Sequence, residues 1–309
     1  MERNKYKDRI LSMGKKTGAR IILPESEDQR VKEAIVELNS LGFNVVQNEE
    51  FQDKTERYMD YLSTLPFTNN WPAGNLREYL QNPLHFSITT LACNDVDGVI
   101  AGAVTSSSEV IRTAIRIVGI NSSSNWVSSI FFLISPNGDH AYTFADCAVI
   151  PEPDSKQLAV IGGDSVEFHY LLSGEKARVA FISFSTKGSA NHYRIDRVKE
   201  AVEIFGRQYP HVSHDGELQI DAAIIPEISK LKAPDSSISG EANVLIFPNL
   251  DAGNVAYKIA QHMGGYSAWG PLLQGLNRPV HDLSRGCSVD DIINVAAITA
   301  LQRNAYAHV

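Results

Sequence analysis

Apolar runs alternate with amphipathic stretches along most of this chain of 309 residues. An apolar run of four to eight residues is typical of a buried strand, and apolar residues spaced three or four apart predict a helix. Four strand and helix pairs are predicted, at 19–25 and 26–41, 97–104 and 109–118, 178–184 and 193–209, and 242–247 and 254–263. This repeated alternation predicts an α/β fold with largely parallel sheets and helices on their faces.

Two of the predicted helices begin with a capping pattern. Ser26 precedes Gln29 by three positions, and Ser288 precedes Asp291 by the same spacing. In each pair a hydroxyl and a longer polar side chain can satisfy free backbone N–H groups at the helix start. We therefore expect helices to begin near residue 26 and near residue 289, the second continuing to about residue 308. Gly42 predicts the end of the first helix, with a strand resuming at 43–46.

Composition narrows the class of protein. A chain of this length can bury a sizeable core and is expected to form two domains. With 43% hydrophobic and 21% charged residues it has the balance of an ordinary globular protein. The formal net charge of −8 argues against nucleic acid or an anionic membrane surface as the main partner. An anionic small molecule remains compatible with this charge where cations are concentrated locally.

No apolar run has the length of a signal-peptide core or of a membrane span, so a cytoplasmic location is predicted. Cys93, Cys147 and Cys287 lie far apart and show no paired spacing. Neither a zinc cluster nor a disulfide framework is therefore expected, and no metal ligands are predicted.

Three of the predicted strands are followed by loops rich in small and hydroxyl-bearing residues. In parallel sheets ligands collect at the carboxyl ends of strands, where backbone N–H groups and hydroxyls can cradle an anion. Turns before helices use the same residue types, so each loop taken alone also has an ordinary structural explanation. The candidate substrate-binding residues in and after these loops are Thr105, Arg112, Ser185, Thr186, Lys187, Gly188, Asn249 and Gly253.

The most reactive group of side chains lies near the C-terminus, where a loop leads into the helix predicted from residue 289. Ser284, Arg285, Cys287 and Asp291 fall within eight residues there. A guanidinium beside a helix start can hold an anion, and a carboxylate can remove a proton. Asp291 acting only as a helix cap is the alternative.

The nucleotide-binding patterns GxxxxGK[ST] and GxGxxG and the hydrolase pattern GxSxG are absent from the sequence.

Six segments in order along the chain resemble phosphate acetyltransferase (phosphotransacetylase), of the phosphate acetyl/butyryltransferase family. They are residues 18–30, 145–153, 183–190, 215–223, 242–258 and 270–300. The resemblance implies two α/β domains of isocitrate/isopropylmalate dehydrogenase-like architecture, with the active site in the cleft between them. The implied domains are 1–122 together with 272–309, and 123–271. The family also commonly forms homodimers.

The activity implied by the resemblance is reversible transfer of an acetyl group between coenzyme A and inorganic phosphate. Coenzyme A is then a substrate, no cofactor is tightly bound, and the partners are small molecules. Asp291 matches the carboxylate that takes the proton from the thiol, after which the thiolate attacks the carbonyl of acetyl phosphate directly. Ser284 and Arg285 match the groups that hold the phosphate and the developing charge. Arg112 matches an arginine that contacts coenzyme A.

Three alternatives remain open at this point. Phosphate butyryltransferase shares the chemistry and differs in its acyl pocket. A non-catalytic acetyl-CoA-sensing module, like those attached to malic enzymes, would bind without turnover, although the presence of Ser284, Arg285 and Asp291 favours an enzyme. Cys287 could instead form an acetyl-enzyme, but no histidine stands in an obvious motif to serve as its base.

One segment departs from the family pattern. Relatives usually carry a stretch rich in arginine and lysine before residue 74, with a further contact to coenzyme A. Here residues 58–76 contain no basic residue. Either Arg116, Arg57 or Arg77 substitutes, or the nucleotide end of coenzyme A is held more weakly.

Overall fold

The computed structural model describes residues 4–306. Within that range the strands are β1 (Arg20–Ile22), β2 (Asn44–Val46), β3 (Gly98–Ala101), β4 (Ser128–Ile134), β5 (Ala141–Ala145), β6 (Arg178–Ile182), β7 (Ser213–Leu218), β8 (Val244–Ile246), β9 (Ser267–Gln274) and β10 (Val280–Asp282). The helices are α1 (Lys5–Lys16), α2 (Gln29–Leu41), α3 (Thr55–Ser63), α4 (Ala73–Tyr79), α5 (Pro83–Ala92), α6 (Ser107–Ile117), α7 (Ser155–Ser173), α8 (Tyr193–Gln208), α9 (Ile220–Ile224), α10 (Pro226–Lys232), α11 (Leu250–His262) and α12 (Val289–Tyr306). A 3-10 helix, Asn48–Lys54, precedes α3.

The described residues divide into two compact units. The terminal unit contains Lys7–Asn125 and the described residues from Gly270 onward, and the central unit contains Trp126–Trp269 and the described residues up to Tyr6. The domain boundaries inferred from the sequence stay a prediction. The outer ends of those domains, and the predicted continuation of the last helix to residue 308, lie outside the described residues.

The terminal unit is built on a four-stranded sheet in the order β10-β3-β1-β2. All three strand pairs in it are parallel, so every carboxyl end reaches the same edge. Helix α12 packs against β1, β3, β10 and α2, and its side chains are buried continuously from Ile292 to Gln302. The nearly continuous apolar character of this helix follows from its being enclosed on all sides.

The central unit contains a six-stranded sheet in the order β7-β6-β8-β5-β4-β9. The pairs β6 with β7, β6 with β8 and β5 with β8 are parallel, whereas β4 and β5 are antiparallel. Every residue of β4 is buried, and the ring of Phe131 stacks on that of Tyr257 in α11 at 3.8 Å. The predicted α/β fold with largely parallel sheets is confirmed.

The four predicted strand and helix pairs correspond to β1 with α2, β3 with α6, β6 with α8, and β8 with α11. Gly42 ends α2 in the left-handed conformation, with φ of 86°, as expected. The predicted cap of α2 is wrong. Asp28 rather than Ser26 is the capping residue, and its side chain accepts the backbone N–H of Arg30 at 2.9 Å. Asp28 also pairs with the Arg30 guanidinium, which adds a charge-assisted contact that a serine hydroxyl cannot supply.

Among residues 4–306, no helix has the length and apolar character required to cross a bilayer.

Close packing between β3 and α12 depends on Gly98. A Cβ atom at this position would stand 2.2 Å from Cγ2 of Thr299, whereas the next atoms would be 3.6 Å away. The hydroxyl of Thr299 donates to the carbonyl of Val295 at 2.7 Å, so the Thr299 side chain is held in place. The sheet and the buried helix therefore meet with no room for a methyl group at residue 98.

We expect Gly98→Ala to lower the free energy of unfolding by about 1–3 kcal/mol, because the new methyl overlaps that of Thr299. Denaturant-induced unfolding measures this change. Thr299→Ser removes the opposing methyl while keeping the hydroxyl, so the double variant should recover much of the loss. Equal stability of Gly98→Ala and the parent protein would contradict this account of the packing.

Candidate active site

The loop between β10 and α12 leaves the carboxyl edge of the terminal unit's sheet. The N–H of Leu283 donates to the carbonyl of Ala101 at 2.7 Å, which extends the pairing of β10 with β3. The chain then turns back as the N–H of Cys287 donates to the carbonyl of Ser284 at 2.9 Å. Ser284 and Arg285 are exposed in this turn, and within residues 4–306 the Arg285 side chain has no hydrogen bond or ion pair. A guanidinium in this state is available to an anion.

Asp291 caps α12 in the reciprocal manner that the sequence predicts. Its Oδ2 atom accepts from the N–H of Ser288 at 2.9 Å and from the hydroxyl of Ser288 at 2.8 Å. In return the N–H of Asp291 donates to the hydroxyl oxygen of Ser288 at 3.2 Å. Both side-chain contacts use Oδ2, and no described residue donates to Oδ1. The cap therefore fixes the carboxylate and leaves one oxygen able to accept a proton.

Arg30, at the start of α2, holds this loop to its neighbour. Its guanidinium donates to the carbonyls of Arg285 at 2.8 Å, Cys287 at 3.0 Å and Ala103 at 3.0 Å. The same guanidinium is anchored through two nitrogens on Asp28, at 3.0 and 2.9 Å. One side chain thus joins the loop after β3 to the loop after β10.

Glu25, the last residue of the first predicted strand, accepts backbone N–H groups of the loop after β3. Its carboxylate accepts the N–H groups of Ala103 at 2.7 Å, Val104 at 3.2 Å and Thr105 at 2.7 Å. The N–H groups that the sequence offered as an anion cradle after β3 are therefore occupied by a protein carboxylate. Only the side chain of Thr105 is left for the substrate contact predicted for this residue.

Asp282 is a buried carboxylate beneath the same loops. The residue is 2% exposed, and its Oδ1 atom has no hydrogen-bond partner among the described residues. Burial raises the pKa of Asp282 to about 6, the charge of Glu25 acts in the same direction, and a hydrogen bond with Ser107 opposes it. A Cβ atom at Gly102 would lie 2.4 Å from Oδ1, so only glycine fits there. The site thus contains a carboxyl group that titrates closer to neutrality than a free one.

The thiol of Cys287 lies in the loop but is poorly suited to act as a nucleophile. Cys287 is 6% exposed, and burial raises the pKa of the thiol although Arg30 nearby acts in the opposite direction. A raised pKa keeps the sulfur protonated at neutral pH, and the thiolate is the reactive form.

Arg112 and Arg116 lie one turn apart on α6, the helix that begins beside these loops with Ser106 as its cap. Both side chains are exposed, and neither has a hydrogen bond or a carboxylate partner in the part of the chain that the structure describes. The guanidinium of Arg116 lies over the ring of Phe67, 5.6 Å from its centroid. The terminal unit therefore brings Thr105, Ser284, Arg285 and Asp291 to one sheet edge, with Arg112 on a helix leading away from it.

In the central unit the loop after β6 is organised by a carboxylate that the sequence analysis did not single out. Glu217 is 1% exposed, and its Oε1 atom accepts from the hydroxyl of Ser185 at 2.9 Å and from the N–H of Gly188 at 2.7 Å. The amine of Lys199 lies 3.9 Å from the other oxygen. Ser185 and Gly188, both predicted to bind substrate, are thus tied to Glu217.

The other two candidates in this loop are also engaged by the protein. The amine of Lys187 pairs with Asp215 and donates to the carbonyl of Gly216 at 3.3 Å. The hydroxyl oxygen of Thr186 accepts the N–H of Gln219 at 2.9 Å. Lys187 is therefore a neutralised cation, unlike Arg285.

Asn249 and Gly253 have local structural roles at the start of α11. Asn249 caps the helix by accepting the N–H of Ala252 at 2.9 Å. A Cβ atom at Gly253 would stand 2.3 Å from the carbonyl oxygen of Asp146, so glycine lets the helix approach that backbone. β6 and β8 are neighbours, so these two residues and the Ser185 loop follow adjacent strands. Contact of any of them with a substrate stays a prediction.

Sequence reasoning missed Glu25, Arg30, Asp282 and Glu217. A signal existed for Glu25, because it is the last residue of a predicted strand of a parallel sheet, and ligand sites form at the carboxyl ends of such strands. Arg30 contacts a carbonyl 255 positions away in sequence, and no local pattern indicates such a contact.

Within residues 4–306, no group of three or more histidine, cysteine, aspartate or glutamate side chains is arranged to hold a metal ion.

Comparison with known proteins gives consistent matches over nearly the whole chain. The family model described as phosphate acetyl/butaryl transferase matches residues 32–300. The phosphate acetyltransferase of Acetivibrio thermocellus is 37% identical, over 96% of this chain and 98% of that protein. The solved EutD phosphotransacetylase from Staphylococcus aureus has a TM-score of 0.86 and 34% identity, covering 96% of this chain and 99% of that one. A phosphotransacetylase from Streptococcus pyogenes has a TM-score of 0.89 and 32% identity, covering 99% and 100%.

We expect Arg30→Lys to loosen both loops of the terminal unit, because one amine cannot replace a guanidinium that contacts Asp28 and three carbonyls. Amide hydrogen exchange at residues 103–105 and 284–288 should accelerate about tenfold or more. Arg303→Lys is the control, since Arg303 donates to the carbonyl of Thr17 at the far end of α12. Unchanged exchange at both loops in Arg30→Lys would show that Arg30 does not hold them.

Proposed function

This chain belongs to the phosphate acetyl/butaryl transferase family, and we propose that it transfers an acetyl group reversibly between coenzyme A and inorganic phosphate. The reaction converts acetyl-CoA and phosphate to coenzyme A and acetyl phosphate. The observation that carries the proposal is the loop of Ser284, Arg285 and Asp291, which places an unpaired guanidinium, a hydroxyl and a carboxylate with a free oxygen in one short segment.

Arg285 is the group proposed to bind phosphate. A guanidinium stays ionised and presents a planar fork of donors that matches two phosphate oxygens. Ser284 adds a hydroxyl donor next to it in the sequence. Because the Arg285 side chain has no carboxylate partner among the described residues, it needs to break no ion pair to bind the anion.

Asp291 is the proposed base. In the direction of thioester synthesis, its free Oδ1 atom takes the proton from the thiol of coenzyme A. The sulfur then attacks the carbonyl carbon of acetyl phosphate, the C–S bond forms, and the C–O bond to phosphate breaks. Phosphate leaves with the electron pair of that bond, and Arg285 and Ser284 stabilise the charge that develops on the oxygens.

The proton transfer is uphill in water, since a free carboxylate near pKa 3.9 is about 4.6 units less basic than a thiolate near 8.5. Positive charge at Arg285 and the amino end of α12 both favour a thiolate formed at this loop.

Direct attack by coenzyme A fits the environment of Cys287 better than an acetyl-enzyme does. An enzyme nucleophile must be a thiolate, and burial raises the pKa of this thiol. We therefore assign Cys287 a packing role.

The remaining proposals concern the state of the protein in the cell. We infer a homodimer in the cytoplasm that acts on small molecules, with domains 1–122 plus 272–309 and 123–271. The net charge of −8 supports the absence of nucleic-acid and membrane partners. The predicted contacts of Arg112 with coenzyme A, and of the loops after β6 and β8 with substrate, belong to the same proposal.

We expect Asp291→Asn to lower kcat at least about 100-fold, because the amide keeps an oxygen for the Ser288 cap but cannot accept the thiol proton. Thioester formation from coenzyme A and acetyl phosphate, followed by absorbance, measures the rate. Asp290→Asn, an exposed neighbour in the same helical turn, is the matched control and should retain activity. If the parent protein forms no thioester from acetyl phosphate or butyryl phosphate, the proposed activity is wrong.

Cys287→Ala should retain most of the activity, because direct transfer requires no enzyme thiol. Steady-state rates and trapping of an acetylated protein by mass spectrometry provide the test. Near-complete loss of turnover in a normally folded Cys287→Ala protein, together with an acetyl group on Cys287 of the parent, would establish the covalent route instead.

A further inference from the structure

Asp282 is a buried carboxyl group that the proposed reaction leaves unused. It is the last residue of β10, lies opposite Ala101 of β3, and precedes Ser284 by two positions. The residue is 2% exposed, and its Oδ1 atom has no hydrogen-bond partner within residues 4–306. Burying a polar oxygen without a partner costs free energy, so strand pairing alone does not account for an aspartate here.

The backbone of the loop after β3 packs directly against this oxygen. Gly102 has a φ of 107°, and a Cβ atom there would stand 2.4 Å from Oδ1 of Asp282 and 2.6 Å from the nitrogen of Leu283. The N–H of Leu283 donates to the carbonyl of Ala101 at 2.7 Å. The carboxyl group is therefore held in a fixed position against the loop, with Oδ1 able to bind a proton.

Three effects set the charge of Asp282. Burial is the largest and raises the pKa to about 6, a hydrogen bond with Ser107 at the start of α6 lowers it, and the charge of Glu25 raises it. Arg30, the cation that joins the surrounding loops, is paired with Asp28 at 2.9 Å. A small change in local charge therefore decides whether Asp282 carries a proton.

The other charged groups around β10 are neutral or more exposed. Strand β10 packs against β3, α6 and α12, and β3 contains no titratable side chain. In the preceding residue, His281, burial lowers the pKa to about 4, so the ring is neutral above that pH. The charged side chains of α6 and of the described part of α12 are exposed, except for the half-buried Asp291: Glu109, Arg112, Arg116, Asp290, Asp291 and Arg303. Water screens these charges more than it screens Asp282.

An anion bound by Ser284 and Arg285 would lie close to Asp282. Two residues of chain span at most about 7 Å, which limits the distance between the Cα atoms of Asp282 and Ser284. At an effective dielectric constant of about 20, two unit charges about 10 Å apart change an equilibrium constant about tenfold. A charged Asp282 therefore weakens the binding of an anion at the turn, and a neutral Asp282 does not.

We propose that Asp282 takes up a proton from solvent when a phosphate anion binds to Ser284 and Arg285, so that the carboxyl group beneath the bound anion is neutral. This inference rests on the proposed function, which makes the turn the phosphate site. The proton adds to a carboxylate oxygen, and no other bond forms or breaks. Because the coupling is reciprocal, the factor by which the proton strengthens anion binding equals the factor by which the anion strengthens proton binding. Asp282 acts through charge and does not contact the anion, unlike the catalytic residues.

The first experiment measures the binding of sulfate by calorimetry, because sulfate resembles phosphate but does not titrate near neutral pH. In the parent protein we expect Kd to rise about tenfold between about pH 5.5 and about pH 8, as Asp282 loses its proton. Asp282→Asn is neutral throughout and should keep the low Kd at both. Asp290→Asn is the matched control, since it removes an exposed carboxylate close by and should behave like the parent. The same rise of Kd in Asp282→Asn as in the parent, or its loss in Asp290→Asn, would overturn the proposal.

The second experiment counts protons. Titrations with sulfate in buffers of different ionisation enthalpy at about pH 6.5 should show uptake of about half a proton per anion by the parent and almost none by Asp282→Asn. Ser107→Ala keeps the carboxyl group and removes the hydrogen bond that lowers its pKa, so the midpoint of the pH dependence should move to higher pH. This variant also tests the proposal if thermal unfolding shows that Asp282→Asn does not fold. An unchanged midpoint in Ser107→Ala, or no proton uptake by the parent, would refute the coupling.

Arg285→Gln establishes where the sulfate binds. Loss of most of the binding is expected, whereas an unchanged Kd would mean that the anion binds elsewhere and that the proposal is wrong.

The proposed reaction and the proton site fail separately. If the parent protein forms thioester but the parent and Asp282→Asn bind sulfate with the same pH dependence, the proton site is wrong and the activity stands. If sulfate binding depends on Arg285 and takes up a proton that Asp282→Asn does not, but no acyl phosphate yields thioester, the activity is wrong and the proton site stands.

Discussion

The geometry of the terminal unit depends on how two charged side chains satisfy the backbone at the carboxyl edge of its sheet. Where parallel strands end, carbonyl and N–H groups lose their ladder partners and need others. Arg30 donates to carbonyls from two loops, and Glu25 accepts three consecutive N–H groups from one of them. Both residues lie in the segment that follows β1. This one segment therefore supplies the donor, Arg30, and the acceptor, Glu25, that hold the loops after β3 and β10. The exposed Ser284 and Arg285 can be presented on a short turn because the backbone on either side is fixed in this way.

The same loop shows how a structural contact and a chemical one can share a residue. Ser288 occupies Oδ2 of Asp291 through two hydrogen bonds, which fixes the direction of the carboxylate without occupying Oδ1. In Asp282 the Oδ1 atom likewise has no partner among the described residues, but there it is buried. A buried oxygen without a hydrogen-bond partner is costly, and carboxyl groups with pKa values raised by burial cluster at functional sites. Burial raises the pKa of Asp282 to about 6, so this carboxyl group binds a proton more readily than a free one.

Local features of this fold were readable from the sequence, and contacts between distant segments were not. Strand and helix alternation, the end of α2 at Gly42 and the cap between Ser288 and Asp291 each depend on residues within a few positions of one another. The cap of α2 was misassigned because Ser26 and Asp28 are both good caps, and the choice is made by the Arg30 guanidinium. Strand β7, with the sequence SHDGEL, carries no apolar alternation and was not predicted. The contact of Glu217 in β7 with Ser185 in the loop after β6 joins residues 32 positions apart, so periodicity could not indicate it.

Counting cations in a sequence overstates how many can bind an anion. Lys187 was a natural candidate, in a loop of small residues after a strand, but Asp215 neutralises it. Arg57 and Arg77 are neutralised by Asp95 and Glu56 in the same way. In a chain with a net charge of −8, the cations that matter for an anionic substrate are those left without a carboxylate. Of the positions considered for substrate binding, these are Arg285, Arg112 and Arg116. They lie on one loop and one helix of the terminal unit, so binding of an anion with several phosphates depends chiefly on that unit.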